Sequence, residues 1–160
     1  MADFDTALIS GKLYESIVLA RIKSKYPSAH IMDGNFKDYD IFIPEIDFSI
    51  EVKADFKSNY TGNFVIEVEF NGKLSALSTT KANVWVLLDY DFMYWFYPIN
   101  IYRCIEQNGF KRVSFTGNGD TVPKKAYLIP CDLLSKYAHK KLKYTDEEIK
   151  LLPIKNNQKP

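Results

Sequence analysis

The chain has 160 residues, 46% of them hydrophobic and 15% aromatic, which supports one packed domain and argues against a disordered chain. Its 21 basic and 20 acidic residues leave a formal net charge of +1, so bulk charge announces no nucleic-acid partner and any basic surface must be local. Cys104 and Cys131 lie far apart, fit no metal spacing and read as buried thiols of a reducing compartment.

Met1 to Asp5 lack the positive region and apolar stretch of a signal peptide. Residues 6–25 read as a helix with Asp5 or Thr6 as N-cap. Leu13, Ile17 and Ala20 form its apolar stripe, with Leu8, Val18 and Ile22 beside it. Ala29 to Met32 is expected as a short strand, and Asp33-Gly34-Asn35 as a turn. Tyr39 to Ile43 and Phe48 to Ala54 then read as a hairpin closed by Pro44 to Asp47. Asn59 to Asn63 is expected as a loop, Phe64 to Phe70 as a strand, Asn71-Gly72-Lys73 as a turn, and Ser75 to Lys81 as a short helix or helical turn. Val84 to Leu88 is a near-continuous apolar run, expected as a central strand covered on both faces, with Phe92 to Tyr97 as its hairpin partner. Asp89 and Asp91 interrupt these apolar windows, which are too short to span a bilayer, so no membrane partner is expected. Ile99 to Gln107 reads as a helix stopped by Asn108-Gly109, Phe115 to Thr121 as a flexible loop, Ala126 to Ile129 as a last strand and Pro130 to Ala138 as a helix. The order predicts an α/β layer fold with a mixed β-sheet. Residues 1–154 are expected as one domain and 155–160 as a disordered polar tail.

The hairpin carries the chemistry. If Ile43 pairs with Phe48, Asp40 stands opposite Glu51, and Asp40, Phe42, Ser49, Glu51 and Lys53 share one face. Tyr39, Ile41, Ile43, Phe48, Ile50, Val52 and Ala54 make the other face, which is expected to be buried. Two carboxylates directly across a ladder repel, and a divalent cation with oxygen ligands would relieve them. The backbone carbonyl of Val52 adds a neutral ligand candidate, and Lys53 would reach over the ion. Glu15, amid apolar helix residues, needs a partner such as this site or Lys53. Gly11, one turn earlier, is expected to let the helix approach the sheet closely. Carboxylates, a cation and an acidified water are what metal-assisted phosphodiester hydrolysis requires. The plain alternative is a solvated strand face with a cross-strand salt bridge.

Gly11-Lys12-Leu13-Tyr14-Glu15, then Tyr39-Asp40, then Glu51-Val52-Lys53 resemble the PD-(D/E)XK nuclease superfamily, with its helical Glu, strand-start Asp and Glu-x-Lys on the next strand. The order helix-strand-strand-strand-helix-strand extends the resemblance over residues 6–88. Thr79 to Trp85 looks like the helix-to-strand segment of phage-type members, and junction-resolvase-like members are also similar. One departure is Tyr39, where many members have Pro. The resemblance implies a restriction-endonuclease-like α/β fold and a Mg²⁺-dependent endonuclease, with Mn²⁺ as an alternative ion. It implies Asp40 and Glu51 as metal ligands, Lys53 as the catalytic lysine, and Glu15 as an auxiliary ligand or orienting group. DNA, including branched or junction DNA, is the implied substrate. A two-fold dimer would match two strands, and the implied location is the cytoplasm, that of the host cell for a phage protein. A non-catalytic nucleic-acid-binding or assembly module on the same fold is the alternative.

Further candidates surround this set. Glu67 and Glu69 share a strand face, with Glu69 preferred as an extra ligand because it is nearer the turn leading to Lys73. Lys73, Ser75, Thr79, Thr80 and Lys81, with Ser78 among them, combine charge with hydroxyls suited to phosphate contacts. His139 to Lys143 is a basic cluster that reads as a DNA-backbone contact or a solvated face. The aromatic run from Tyr90 to Tyr97 suits base stacking, sheet core or a subunit interface. Asp55 and Lys57 would line a cleft mouth, and His30 reads as structural. No glycine-rich Lys-Ser/Thr phosphate loop and no Ser-His-Asp pattern is present.

Overall fold

A computed structural model describes residues 3–36, 38–116 and 121–155. The expected Gly117-Asn118-Gly119-Asp120 loop and most of the 155–160 tail lie outside the described residues. Helix α1 (Asp3–Lys23) comes first. It buries Ile17, Val18 and Ile22 and half-buries Leu13 and Leu19, whereas Ala20 is exposed. The stripe is therefore rotated from the expected one, towards the i, i+1, i+5 positions that face the sheet.

Strands β1 (His30–Ile31), β2 (Ile41–Ile43) and β3 (Phe48–Ala54) form an antiparallel meander. The β2–β3 turn is a 3₁₀ turn over Pro44–Ile46, closed by Asp47 in the left-handed region at φ 48°. The pairing Ile43↔Phe48, Phe42↔Ser49, Ile41↔Ile50 is the expected register. Strand β6 (Val84–Leu88) lies parallel to β3, and β7 (Phe92–Phe96) pairs with β6 as its hairpin partner. All five residues of β6 are buried, as a continuous apolar run between two layers should be. Each fully buried aliphatic side chain there contributes about 1.5–3 kcal/mol.

Between β3 and β6 the chain makes a long excursion. Helix α2 (Ser58–Thr61) stands where a loop was expected, followed by β4 (Asn63–Phe70), β5 (Lys73–Leu74) and a 3₁₀ turn at Ala76–Ser78. Strand β4 does not join the first sheet. It starts a second, antiparallel sheet in the order β5-β4-β9-β8, with β8 (Val113–Phe115) and β9 (Lys124–Pro130). Asp55 turns the chain out of β3: its carboxylate accepts N–H bonds from Ser58 at 3.2 Å and Val65 at 2.9 Å, tying α2 and β4 to the strand end. The alternation of β4 then points Phe64, Ile66 and Val68 at the first sheet.

The first sheet has the order β1-β2-β3-β6-β7-β10. Its last strand, β10 (Lys140–Lys143), occupies the stretch read from the sequence as a basic cluster. Lysines suit it, since charged side chains on an edge strand block further pairing. Helix α1 covers one face with Ile41, Ile50, Val86 and Met93. The second sheet and α3 (Pro98–Asn108) cover the other with Phe64, Trp85, Leu87 and Ile101. Helix α4 (Cys131–Ser135) is shorter than the expected 130–138, and α5 (Asp146–Ile149) carries a Thr145/Glu148 capping box. No helix among the described residues is long and apolar enough to cross a membrane.

Candidate functional site

The carboxylates and the lysine arrive from three elements. Glu51 and Lys53 stand on β3 with one residue between them, so both leave the sheet on the face occupied by Trp85 and Leu87. Lys53 Nζ lies 2.9 Å from Glu51 Oε1 and 5.6 Å from the Trp85 ring centroid. Trp85 is held in turn by Thr80, whose Oγ1 accepts the indole N–H at 2.8 Å. The lysine therefore sits on an aromatic platform that the sequence presented only as strand core.

Asp40 departs from the expected ladder. Regular pairing stops at Ile41↔Ile50, and the Asp40 N–H bonds to the Ile50 carbonyl at 2.9 Å. Its Oδ2 then accepts the Val52 N–H at 2.7 Å, so a side chain takes the place of the next backbone partner. The break also turns Tyr39. Expected on the buried face with Ile41, it packs instead against the opposite core and the rings of Phe36 and Phe42, at 4.8 and 5.9 Å. The rest of that face follows expectation only where helix α1 covers it: Ile41, Ile43 and Ile50 are buried, Phe48 and Val52 half-buried, and Ala54 exposed. Ser49, on the motif face, is buried and bonded to Asn83.

Glu15 reaches the same place from α1. Its carboxyl is pushed up to about 7, first by burial, then by the Asp40 charge and a hydrogen bond with Asp40, with Lys12 opposing and Glu51 adding. Burial also raises Glu51, against the pull of Lys53. A single hollow of about 400 Å³ is lined by Glu15, Asp40, Glu51, Val52 and Lys53, together with Tyr14. Gly11 lines it too, but a Cβ there would meet nothing within 4 Å, so the close helix–sheet approach expected at this glycine does not occur. Among the described residues, no group of three or more His, Cys, Asp or Glu stands ready to hold a metal ion. The all-oxygen donor set of Glu15, Asp40 and Glu51 is nonetheless the kind a hard divalent cation takes, and burial first, then the Asp40 charge, disfavours the ionised Glu15 beside it.

Glu51 and Lys53 also line a second hollow of about 410 Å³, shared with Asp38, Glu67, Thr79, Thr80 and Lys81. Three of the five expected phosphate-contact residues are thus beside the lysine. Ser75 is engaged, its hydroxyl donating to Glu67 Oε2 at 2.9 Å, and Lys73 is exposed on β5 and lines neither hollow. Glu67, not Glu69, faces the motif; Glu69 pairs with Lys125 at 3.1 Å. A bulge between Glu67 and Glu69 breaks the alternation that put both on one face. The His139–Lys143 cluster is at the far side of the sheet, with β6 and β7 between β10 and β3. Trp85 and Glu67 are the neighbours that sequence reasoning undervalued: one read as core, the other was ranked behind Glu69. No family model, no curated protein and no solved structure matches this chain.

Proposed function

We propose that the protein is a Mg²⁺-dependent endonuclease that hydrolyses phosphodiester bonds in DNA. One observation carries this reading: Glu15 from α1, Asp40 from the position before β2, and Glu51 and Lys53 from β3 line one hollow of about 400 Å³. The meander β1-β2-β3 followed by β6 parallel to β3 supports the restriction-endonuclease-like core on which such a set is expected. Glu15, Asp40 and Glu51 are the residues that would hold the ion, which when bound supplies Lewis acidity and a more acidic water. Asp40 is held for this by the Val52 N–H. Lys53, carried on Trp85, offers its ammonium to the non-bridging oxygens of a phosphate, where charge grows in the transition state. Thr79 and Lys81 extend the contact along the strand.

The test is incubation of purified protein with linear, single-stranded and four-way-junction DNA, with and without Mg²⁺. Glu51→Ala and Lys53→Ala are expected to remove nicking while leaving the thermal unfolding midpoint within about 3 °C of the parent. Full nicking by either variant refutes the assignment. A second reading, a nucleic-acid-binding module without catalysis, draws on the 2.9 Å ion pair that closes Lys53 onto Glu51. DNA binding with no cleavage in Mg²⁺ or Mn²⁺ selects it.

A further inference from the structure

A third hollow opens beside Lys53, between β3, β4 and β6, with a volume of about 460 Å³. Its floor is apolar and fixed: Trp85 and Leu87 are 3% and 4% exposed and belong to the core between the sheets. Phe115 and Val65 form flanking walls, and Val65 is 42% exposed at the mouth. Asn63 brings a carboxamide, with a donor and an acceptor side by side, whose one side-chain bond among the described residues is a long 3.4 Å contact to the Thr61 carbonyl. The acidic groups in the wall are already engaged. Asp55 accepts two backbone N–H groups, and Glu67 accepts from Ser75 and pairs with Lys124 at 3.7 Å. Lys53 and Lys57 stand at its edge as cations.

We propose that this hollow is a nucleoside subsite that takes one base of the strand whose phosphate lies against Lys53. The inference rests on the nuclease reading and narrows its substrate. Hollows of this size, apolar with a few convergent polar groups, suit small planar ligands. The aromatic and aliphatic walls would cover a base's faces, the Asn63 amide would meet its edge, and Lys53 ties the attached phosphate to the carboxylate site. A base can enter only if it has left its stack, and unstacking is easiest in single-stranded, flapped or mispaired nucleic acid. The substrate class is therefore a strand with an unpaired nucleotide at the cut, in preference to continuous duplex.

The experiment titrates the parent protein with deoxyadenosine and thymidine 5′-monophosphates and with inorganic phosphate in EDTA, followed by Trp fluorescence and by NMR shifts of residues 63–67. Nucleotides are expected to bind at least tenfold more tightly than phosphate. Val65→Trp, which fills the mouth, and Asn63→Ala, which removes the amide, are each expected to weaken nucleotide binding at least tenfold without altering phosphate binding. Lys140→Ala, on β10 with β7 and β6 between it and β3, serves as a control that keeps nucleotide binding. Cleavage of single-stranded or flapped DNA should exceed that of duplex at least tenfold, and Val65→Trp should abolish the difference. Equal affinity for phosphate and nucleotide, or unchanged nucleotide affinity in both pocket variants, overturns the subsite. Nucleotide binding by a protein that cuts nothing keeps the subsite and refutes the nuclease reading, whereas cleavage without nucleotide binding does the reverse.

Discussion

Replacing Glu15 by Gln should stabilise the protein at alkaline pH and leave it unchanged in acid. The Glu15 carboxyl is lifted from its ordinary 4.5 to about 7 because burial and the Asp40 charge disfavour its ionised form. A raised carboxyl binds its proton more tightly in the native than in the unfolded state. The native state is therefore favoured below the unfolded value, and this advantage is lost as pH climbs through the interval from 4.5 to about 7. At full weight the loss is about 3 kcal/mol, but the side chain is half-exposed, and solvent screening reduces it to about 1–2 kcal/mol. Gln keeps the shape and the donor of the protonated acid and cannot ionise. In EDTA at pH 8 the variant should melt about 3–6 °C above the parent, by circular dichroism, and the gap should close by pH 4.5. If the proposed ion binds, Mg²⁺ in millimolar excess should let the parent recover the difference, because the cation would supply the positive counter-charge that the ionised carboxylates lack. A variant no more stable than the parent at pH 8, or equally more stable at pH 4.5, refutes the crowding argument.

Arg21 grips Glu148 with two bonds of 2.6 Å and the Lys143 carbonyl with a third of 2.7 Å, fastening α5 to α1. Arg21→Ala should cost about 1–2 kcal/mol at pH 7 and expose residues 145–152 to limited proteolysis. The guanidinium holds the Glu148 carboxyl below its usual range, so the ion-pair share of this contribution is present at neutral pH and should fall away as acid protonates Glu148, leaving only the bond to the Lys143 carbonyl; a cost undiminished in acid contradicts the assignment. Thr80→Val keeps the shape of the side chain but leaves the N–H of a 3% exposed Trp85 without its acceptor. Urea unfolding should show a loss of about 1–3 kcal/mol, and an unchanged midpoint would mean that the bond does not hold the Trp85 platform.

The parts of the fold legible in the sequence were those set by local pattern. Pro44 and the alternation on either side of it fix the hairpin register to the residue, because a slip of one would expose Ile41 and Ile50 and bury Glu51. The unbroken run Val84 to Leu88 marks a strand covered on both faces for the same reason. The second sheet was not legible. Whether β4 pairs with β3 or turns away depends on Asp55, which reaches forward to Ser58 and Val65, and no periodicity records such a bond. Strand β10 was hidden by its composition. Lys140-Lys141-Leu142-Lys143 carries the charge of a surface run, and only its place beside β7 makes it a strand.

At the site the same distinction separates what spacing gives from what contacts decide. Glu51 and Lys53 share a face because strand period is two, and that survives any tertiary arrangement. Asp40 was placed by extending the ladder, and its carboxylate does arrive beside Glu51, but by a different route: the strand ends and the side chain bonds to Val52 N–H. A Tyr39 assigned by the same extension went to the other core, since an error of register at the strand end moves a side chain across the sheet. Glu69 failed similarly, one residue beyond a bulge. The helical Glu15 was located by a different logic, that an acid among apolar neighbours needs a partner, and it meets Asp40. Requirements of charge thus carry across elements where counting does not. That is why replacing one carboxylate with its neutral isostere, at a position that no ladder reaches, is the most direct test of whether these groups form one site.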